Sequence, residues 1–191
     1  GALGRALPVG VGVALTGRYR DKLPYRVWVV LGDSEVAEGS VWEAAQVAAV
    51  ESLDNLCGII DVNALGQSGP TMWQHDLEQF ARRWRAFGWH AIVIDGHDLN
   101  AILEAYAEAR RQFDGLWSFG NAYAEARATR GMPTMIVART LKGKGVSFSE
   151  GKPGWHGRAF KKGEELDKAI AELEAQPTAD GEGIHLAQRI P

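Results

Sequence analysis

The sequence predicts an α/β domain, a three-layer sandwich with a mostly parallel sheet. Apolar segments of strand length alternate with helical segments along the 191 residues, and polar or glycine residues follow the end of each apolar segment. Strands that are apolar at almost every position belong to sheets covered by helices on both faces. Because ligands of such sheets bind where the strands end, we expect the functional site at the carboxyl edge.

Four strands are predicted from these apolar segments, and each ends at residues typical of turns and ligand sites. They cover residues 26–31, 57–62, 90–94 and 134–140. Just past their ends lie Gly32-Asp33-Ser34, Asn63, Asp95-Gly96-His97 and Lys142-Gly143.

Five helices are predicted between and around the strands. Glycine, alanine and valine dominate the first, which indicates close packing, and apolar residues recur at helical spacing in the second. The third is amphipathic. The five helices cover residues 10–15, 38–53, 73–87, 99–111 and 166–175.

Composition excludes several classes of protein. Hydrophobic residues make up 46% and charged residues 24%, as in globular domains. The net charge of −3 offers no basic excess for a nucleic acid. No apolar run approaches the ~20 residues of a membrane span, and the single cysteine, Cys57, forms no intramolecular disulfide. We expect a cytoplasmic protein with neither nucleic-acid nor membrane partners.

Domain organisation is predicted as one domain followed by a short linker. Residues 1–175 form the domain, and residues 176–191, which carry proline, glycine and acidic residues, are interpreted as the linker. The hexapeptide AYAEAR occurs at 105–110 and again at 122–127. We interpret this duplication as an insertion near 111–127 in a surface helix or the loop after it.

Two strand ends carry residues suited to a metal–phosphate site. Asp33 follows the first strand and Asn63-Ala64-Leu65 the second, with one predicted helix between them. A carboxylate, an amide oxygen and a carbonyl are ligands for Mg²⁺, and a helix N-terminus favours the phosphate. A capping aspartate and a turn asparagine explain the same residues more simply, and these residue types alone favour that simpler explanation.

A wider set of segments resembles the transketolase family, in its thiamine-diphosphate-binding, diphosphate-side domain. The resemblance covers residues 1 to about 175 without the insertion. It rests on GDSEVAEGSVWEA, LDNLCGIIDVNALGQS, FGWHAIVIDGHD, RTLKGKGVSF and GWHGRAF. The family's cofactor motif is Gly-Asp-Gly, followed some 25 to 30 residues later by Asn; here Gly32-Asp33-Ser34 precedes Asn63.

The resemblance implies a set of cofactor and metal ligands. Asp33, Asn63 and Leu65 correspond to ligands of Mg²⁺ (or Ca²⁺), and Gly32 and Ser34 to residues at the diphosphate. Lys142 and His156 correspond to a lysine at the cofactor and a catalytic histidine near diphosphate and substrate. Gly1 corresponds to a glycine against the cofactor, and Glu38 to an acidic residue at the dimer interface.

Two departures bear on cofactor binding. Ser34 replaces the second glycine of the motif, and a positive φ there would strain it. The opening segment GALGRAL carries Ala2, Arg5 and Ala6 where the family has Ser, Gln and Gly.

By the same resemblance, the expected activity is transfer of a two-carbon ketol unit from a ketose phosphate to an aldose phosphate, in the pentose phosphate pathway. The cofactor then lies between this domain and a pyrimidine-binding domain or subunit, which these residues lack, and a homo-oligomer is expected. Alternatives are a non-catalytic scaffold or regulatory subunit and an enzyme like 1-deoxyxylulose-5-phosphate synthase or the E1 dehydrogenases; the segment ending LGQS and the later WHG favour transketolase.

The remaining histidines, tryptophans and the cysteine are interpreted as structural. His97 lies at the ligand edge without an assigned role, and His75, His90 and His185 are expected to be structural or solvated. Cys57 is expected to be unreactive core. The tryptophans expected in the core are Trp28, Trp42, Trp84 and Trp89.

Overall fold

A parallel sheet forms the centre of the molecule in the computed structural model, which describes residues 3–114 and 131–175. Its strands are β1 (Val27–Gly32), β2 (Leu56–Val62), β3 (His90–Asp95) and β4 (Thr134–Arg139). Within the described residues, the order across the sheet is β1-β2-β4-β3, and every neighbouring pair is parallel. The predicted parallel sheet is therefore confirmed, and all four strands end at one edge.

The helices lie between and after the strands as the sequence predicts. They are α1 (Ala6–Leu15), α2 (Gly39–Val50), α3 (Leu77–Ala86), α4 (Leu99–Asp114) and α5 (Glu164–Glu174). A π-helical turn, Thr16–Asp21, extends α1, and a 3-10 turn, Glu35–Ala37, leads into α2. No helix in the described part of the chain has the length and apolarity needed to cross a membrane.

Helices cover both faces of the sheet, which makes three layers. On one face, α1, α2 and α3 contribute fully buried side chains such as Leu7, Val41 and Phe80 to a core shared with Leu31 and Ile60. On the other face, a smaller core lies beneath α4, formed by Ala105 and Ala109 with Cys57 and Ile136. Burial raises the pKa of the Cys57 thiol to about 12, which agrees with an unreactive core cysteine.

The tryptophans on the two faces of the sheet differ in how deeply they are buried. Trp42, Trp84 and Trp89 pack together with ring centroids 5.0 and 4.9 Å apart, in line with the core prediction. The prediction for Trp28 is wrong, because its side chain is 41% exposed. It lies on the sheet face that α4 covers, where its ring packs edge-on against that of Tyr106 with centroids 5.1 Å apart.

Two predicted helices are shorter than expected. The helix predicted over 73–87 begins at Leu77, because the Asp76 carboxylate accepts the Gln79 N–H at 3.1 Å and caps it. Gln74, with φ of 43°, lies in the turns before that cap. The helix predicted over 38–53 ends at Val50, and Ser52, with φ of 53°, turns the chain toward β2.

Several predictions fall outside the described residues. Gly1, His185, the 176–191 linker and all but the first four residues of the proposed 111–127 insertion belong to this group. The domain boundaries therefore stay predictions.

Trp84 and Trp89, both fully buried, allow a matched stability test. The Trp89 indole N–H donates to the Ala45 carbonyl at 2.9 Å, whereas the Trp84 N–H has no partner among the described residues. We expect Trp89→Phe to lower the free energy of unfolding by about 1 kcal/mol more than Trp84→Phe, the usual net contribution of a hydrogen bond. Urea denaturation of both variants measures the difference. Equal losses would contradict the assignment of this bond.

Candidate cofactor-binding site

Asp33 lies directly after β1, in a buried position at the carboxyl edge of the sheet. Its Oδ2 atom accepts the Ala64 N–H at 2.8 Å and the Thr71 hydroxyl at 3.0 Å, and the Ser34 N–H also donates to the carboxylate. All three donors are neutral. Burial raises the pKa of Asp33 above its ordinary value, although these hydrogen bonds partly oppose the shift. The carboxylate is thus held in place without the positive charge that would stabilise its ionised form.

The segment after β2 is bonded so that the Asn63 amide has one orientation. The Asn63 Nδ2 donates to the Asp61 carboxylate at 3.0 Å, and the Asn63 Oδ1 accepts the Leu65 N–H at 3.1 Å. Between them Ala64 has φ of 65°, a left-handed conformation that is costly for alanine. The Ala64 N–H bond to Asp33 joins this strained turn to the first strand end.

Asp61 connects the ends of β2 and β4. Besides Asn63, its carboxylate accepts the hydroxyl of Thr140, which follows β4. The Thr140 carbonyl is 2.9 Å from the His75 Nε2, so a side chain before α3 also contacts this segment. His75 is therefore structural, as expected, and these bonds fix the backbone just before Lys142.

Lys142 brings three predicted site residues together. Its Nζ donates to the Leu65 carbonyl at 2.7 Å and lies 3.1 Å from the His156 Nδ1. An ammonium group has only donors, so the His156 Nδ1 accepts and the Leu65 carbonyl faces a cation. Lys142 is half-buried, while His156 is exposed at the mouth of the site.

The loop that carries His156 is anchored by aromatic packing. Trp155 packs against Phe148 and Phe160 with centroids 5.5 and 5.3 Å away, and Arg158 lies 4.2 Å over its ring. This small cluster holds the exposed histidine beside Lys142 without using the main core.

Ser34 has an ordinary backbone conformation. Its φ and ψ are −67° and −29°, in the right-handed helical region. The strain considered for a serine at this position is therefore absent. The Gly32 N–H, at the end of β1, donates to the Glu35 Oε2 at 2.8 Å, so Glu35 orders the turn that contains Asp33.

Gly4, in the opening segment, packs onto the turn before α2. Its N–H donates to the Glu35 Oε1 at 3.2 Å, and its carbonyl accepts the Ser40 hydroxyl at 2.9 Å. Gly4 has φ of 72°, and a Cβ atom there would lie 2.6 Å from the Glu38 Cβ, so only glycine fits. The Glu38 side chain is exposed beside it.

A cavity of about 290 Å³ opens beside Asp33. Its walls include Ser34 and Thr71 on the polar side and Trp73 and Phe80 on the apolar side. The buried Asp33 carboxylate therefore borders a cavity that has both polar and apolar walls.

Comparison with known proteins decides the family. Residues 13–116 match the family described as "Transketolase, thiamine diphosphate binding domain". This chain belongs to the transketolase family. Human transketolase is 42% identical over 162 residues, which are 85% of this chain, and human transketolase-like protein 2 is 39% identical over 176 residues, or 92%. The matches cover 23% and 25% of those proteins, so the chain spans about a quarter of their length.

Solved structures agree with this membership. Transketolase from Campylobacter jejuni superposes with a TM-score of 0.71 at 25% identity, covering 91% of this chain and 25% of that one. Transketolase from Leishmania mexicana gives 0.62 at 28% identity, covering 79% of this chain and 21% of that one. The expectation of a transketolase thiamine-diphosphate-binding fold is therefore confirmed.

The transketolase site residues predicted from the sequence gather at one sheet edge. Asp33 is bonded to the Ala64 N–H, between Asn63 and Leu65, and the Leu65 carbonyl leads to Lys142 and His156. Their roles as ligands stay predictions, as does that of Gly1.

Sequence reasoning missed the residues that orient these groups. Thr71 and Thr140 have no recognisable motif, and Asp61 is hidden inside an apolar strand. The signal for Asp61 is a carboxylate that interrupts the apolar run two residues before Asn63.

The chemistry of the donors fits a divalent metal and a diphosphate. No cluster of three or more histidine, cysteine or acidic side chains that could hold a metal exists in the described ranges. A metal here depends on one carboxylate, one amide oxygen and one carbonyl, oxygen ligands that suit Mg²⁺ when phosphate supplies the others. The buried Asp33, whose neutral donors leave its charge uncompensated, is the observation that supports this fit.

Proposed function

We propose that the chain binds thiamine diphosphate with Mg²⁺ (or Ca²⁺) and is the diphosphate-binding part of a transketolase. The reaction would move a two-carbon ketol unit from a ketose phosphate to an aldose phosphate, in the cytoplasmic pentose phosphate pathway. One observation carries this proposal: Asp33, the Asn63–Leu65 segment and Lys142 converge at the sheet edge through bonds of 2.7–3.1 Å.

Asp33, Asn63 and the Leu65 carbonyl would hold the metal, which in turn would hold the diphosphate. Asp61 retains the Asn63 NH₂ group, so the amide oxygen is the end left for a cation. The backbone around Gly32 and Ser34, which precedes α2, would lie against the phosphates. Thiamine diphosphate supplies, when bound, the carbon nucleophile and the electron sink for cleaving a ketose.

Lys142 would contact the diphosphate, and His156 would contact the substrate. The Lys142 ammonium, 2.7 Å from the Leu65 carbonyl, would neutralise diphosphate charge beside the metal. His156, exposed next to it, would donate hydrogen bonds to substrate oxygens as the catalytic histidine. Gly1 would lie against the cofactor ahead of Gly4.

An apolar surface on α1 and α2 supports a second domain or subunit as partner. Val9 and Val13 on α1 are 64% and 44% exposed, and Val47 and Val50 on α2 are 45% and 77% exposed. We propose that this surface is covered by the pyrimidine-binding domain or by a second copy in a homo-oligomer. Glu38, exposed at the start of α2, would lie at that interface.

Sedimentation equilibrium tests this partner surface. We expect the chain to self-associate, or to bind an added pyrimidine-binding domain, and Val9→Glu to weaken this about tenfold or more. Leu173→Glu on α5, at a similarly exposed site, is the control and should leave association unchanged. Equal effects of both substitutions would contradict the assigned surface.

Complementation tests the catalytic proposal. The 191 residues alone are expected to show no turnover with saturating thiamine diphosphate, Mg²⁺ and sugar phosphates. Adding the regions of a transketolase relative that lie outside the match should restore ketol transfer. If activity stays absent although cofactor binds, the proposed reaction fails while the proposed cofactor site stands.

A further inference from the structure

His97 lies in the turn after β3, where it contacts the segment that carries Lys142. The imidazole Nε2 of His97 accepts the Leu141 N–H at 2.8 Å, and the backbone N–H of His97 donates to the Asp95 carboxylate at 2.9 Å. The imidazole is half-buried. This contact crosses 44 residues of sequence and joins the ends of two neighbouring strands.

Gly96 fixes where this imidazole lies. Its N–H donates to the Arg139 carbonyl at 2.7 Å, and a Cβ atom there would lie 2.6 Å from the Thr140 Cγ2 and 3.0 Å from the Arg139 oxygen. The turn therefore packs directly on the backbone after β4. His97, one residue later, is placed over the Leu141 N–H by this packing rather than by a flexible loop.

Lys142 is held on both sides of its backbone. The Leu141 N–H before it is bonded to His97, and the Lys142 carbonyl accepts the Gly151 N–H at 2.9 Å. The Lys142 side chain then reaches the Leu65 carbonyl. The hydrogen bond from the Leu141 N–H to His97 therefore helps to set the direction from which the Lys142 ammonium approaches the Leu65 carbonyl.

We propose that His97 is a positioning residue that acts through Leu141 to aim the Lys142 ammonium at the diphosphate. The inference rests on the proposed cofactor site and deepens it. The imidazole must be neutral with its proton on Nδ1, because only an unprotonated Nε2 accepts a hydrogen bond. His97 itself touches neither metal nor diphosphate in this scheme.

The tautomer and the Leu141 bond are tested first on the full chain without cofactor. Long-range ¹H–¹⁵N correlation spectra of the labelled histidines should show the His97 proton on Nδ1. Exchange of the Leu141 amide with deuterium should be faster in His97→Leu than in the original chain or in His97→Gln, whose amide oxygen can accept the same bond. A proton on Nε2, or unchanged exchange, would overturn the proposal.

Cofactor affinity is tested next. Calorimetric titration with thiamine diphosphate at saturating Mg²⁺ should give about tenfold weaker binding for His97→Leu. We expect His97→Gln to stay within about threefold of the original chain. His90→Leu is the control, because it removes an imidazole bonded to Glu108 at 2.6 Å, at the opposite end of β3. Thermal unfolding confirms that each variant folds.

The outcomes separate two kinds of failure. Equal losses of affinity in His97→Leu and His97→Gln overturn the positioning role. If the original chain binds no thiamine diphosphate, the proposed cofactor site fails, and the tautomer and amide exchange still decide whether His97 holds the segment.

Discussion

Asp33→Asn is expected to abolish measurable binding of thiamine diphosphate with Mg²⁺ while making the cofactor-free chain more stable at neutral pH. The carboxylate is buried and its donors are the uncharged Ala64, Thr71 and Ser34. The substitution replaces a negatively charged metal ligand with a neutral amide oxygen, and losses on breaking such buried charge contacts reach about 100-fold or more in affinity. Calorimetry with the cofactor and urea denaturation without it measure the two effects.

The direction of the stability effect follows from the pKa of Asp33, which burial raises in the folded chain. The folded state then binds the proton more tightly than the unfolded state does. Its ionisation above the unfolded pKa costs stability, so the stability contributed by the protonated form is lost as pH rises. Asparagine avoids this cost. The advantage of Asp33→Asn should therefore be present at neutral pH and vanish in acid, below both pKa values.

Asp54 is a matched control for Asp33. Asp54 is also buried, and burial raises its pKa. Its carboxylate, however, lies 3.4 Å from the Arg18 guanidinium and is not among the residues of the proposed site. We expect Asp54→Asn to leave cofactor affinity unchanged. If Asp54→Asn and Asp33→Asn weakened binding equally, the loss would reflect general disruption rather than a missing ligand.

Lys142→Met is expected to separate binding of the diphosphate from binding of the metal. The ammonium would contribute a charge-assisted contact to the diphosphate, so cofactor affinity should fall about tenfold or more. The same ammonium occupies the Leu65 carbonyl at 2.7 Å in the cofactor-free chain. Removing it leaves that oxygen available, and affinity for Mn²⁺ alone, followed by electron paramagnetic resonance, should not fall.

Lys144→Met is the control for Lys142. Lys144 lies two residues later in the same loop, and its side chain is exposed. It should change neither affinity. Weaker Mn²⁺ binding in Lys142→Met would contradict the geometry, since the lysine would then be supporting the metal rather than the phosphate.

The sheet and its functional edge could be predicted because they depend on local sequence. Apolar runs of strand length define the four strands, and Asp33 and Asn63 come directly after two of them. Once β1 and β2 are parallel neighbours, those residues must lie on one edge. The family resemblance then supplied Lys142 and His156, which follow β4.

The hydrogen bonds that orient the site residues could not be predicted, because they join segments that are distant in the sequence. The Asp61 carboxylate reaches Thr140 across 79 residues, and His97 reaches Leu141 across 44. Both contacts require that β4 lies between β2 and β3, a strand order that the apolar pattern does not contain.

Two errors have local explanations. The Asp76-x-x-Gln79 spacing is typical of a helix cap and indicates that α3 begins at Leu77. The predicted helix begins too early because the apolar Trp73 fits the helical pattern. The sequence predicts a buried Trp28 because the first strand is apolar around it. Its exposure follows from how little of that sheet face α4 covers.

The central claim, that Asp33, Asn63 and Leu65 hold a metal beneath a diphosphate, is tested most directly by crystallography with Mn²⁺ in place of Mg²⁺. Crystals of the chain grown with Mn²⁺ and thiamine diphosphate should give one strong anomalous peak, about 2.2 Å from the Asp33 carboxylate, the Asn63 Oδ1 and the Leu65 carbonyl. Ordered diphosphate with the anomalous peak away from these three oxygens would contradict the claim.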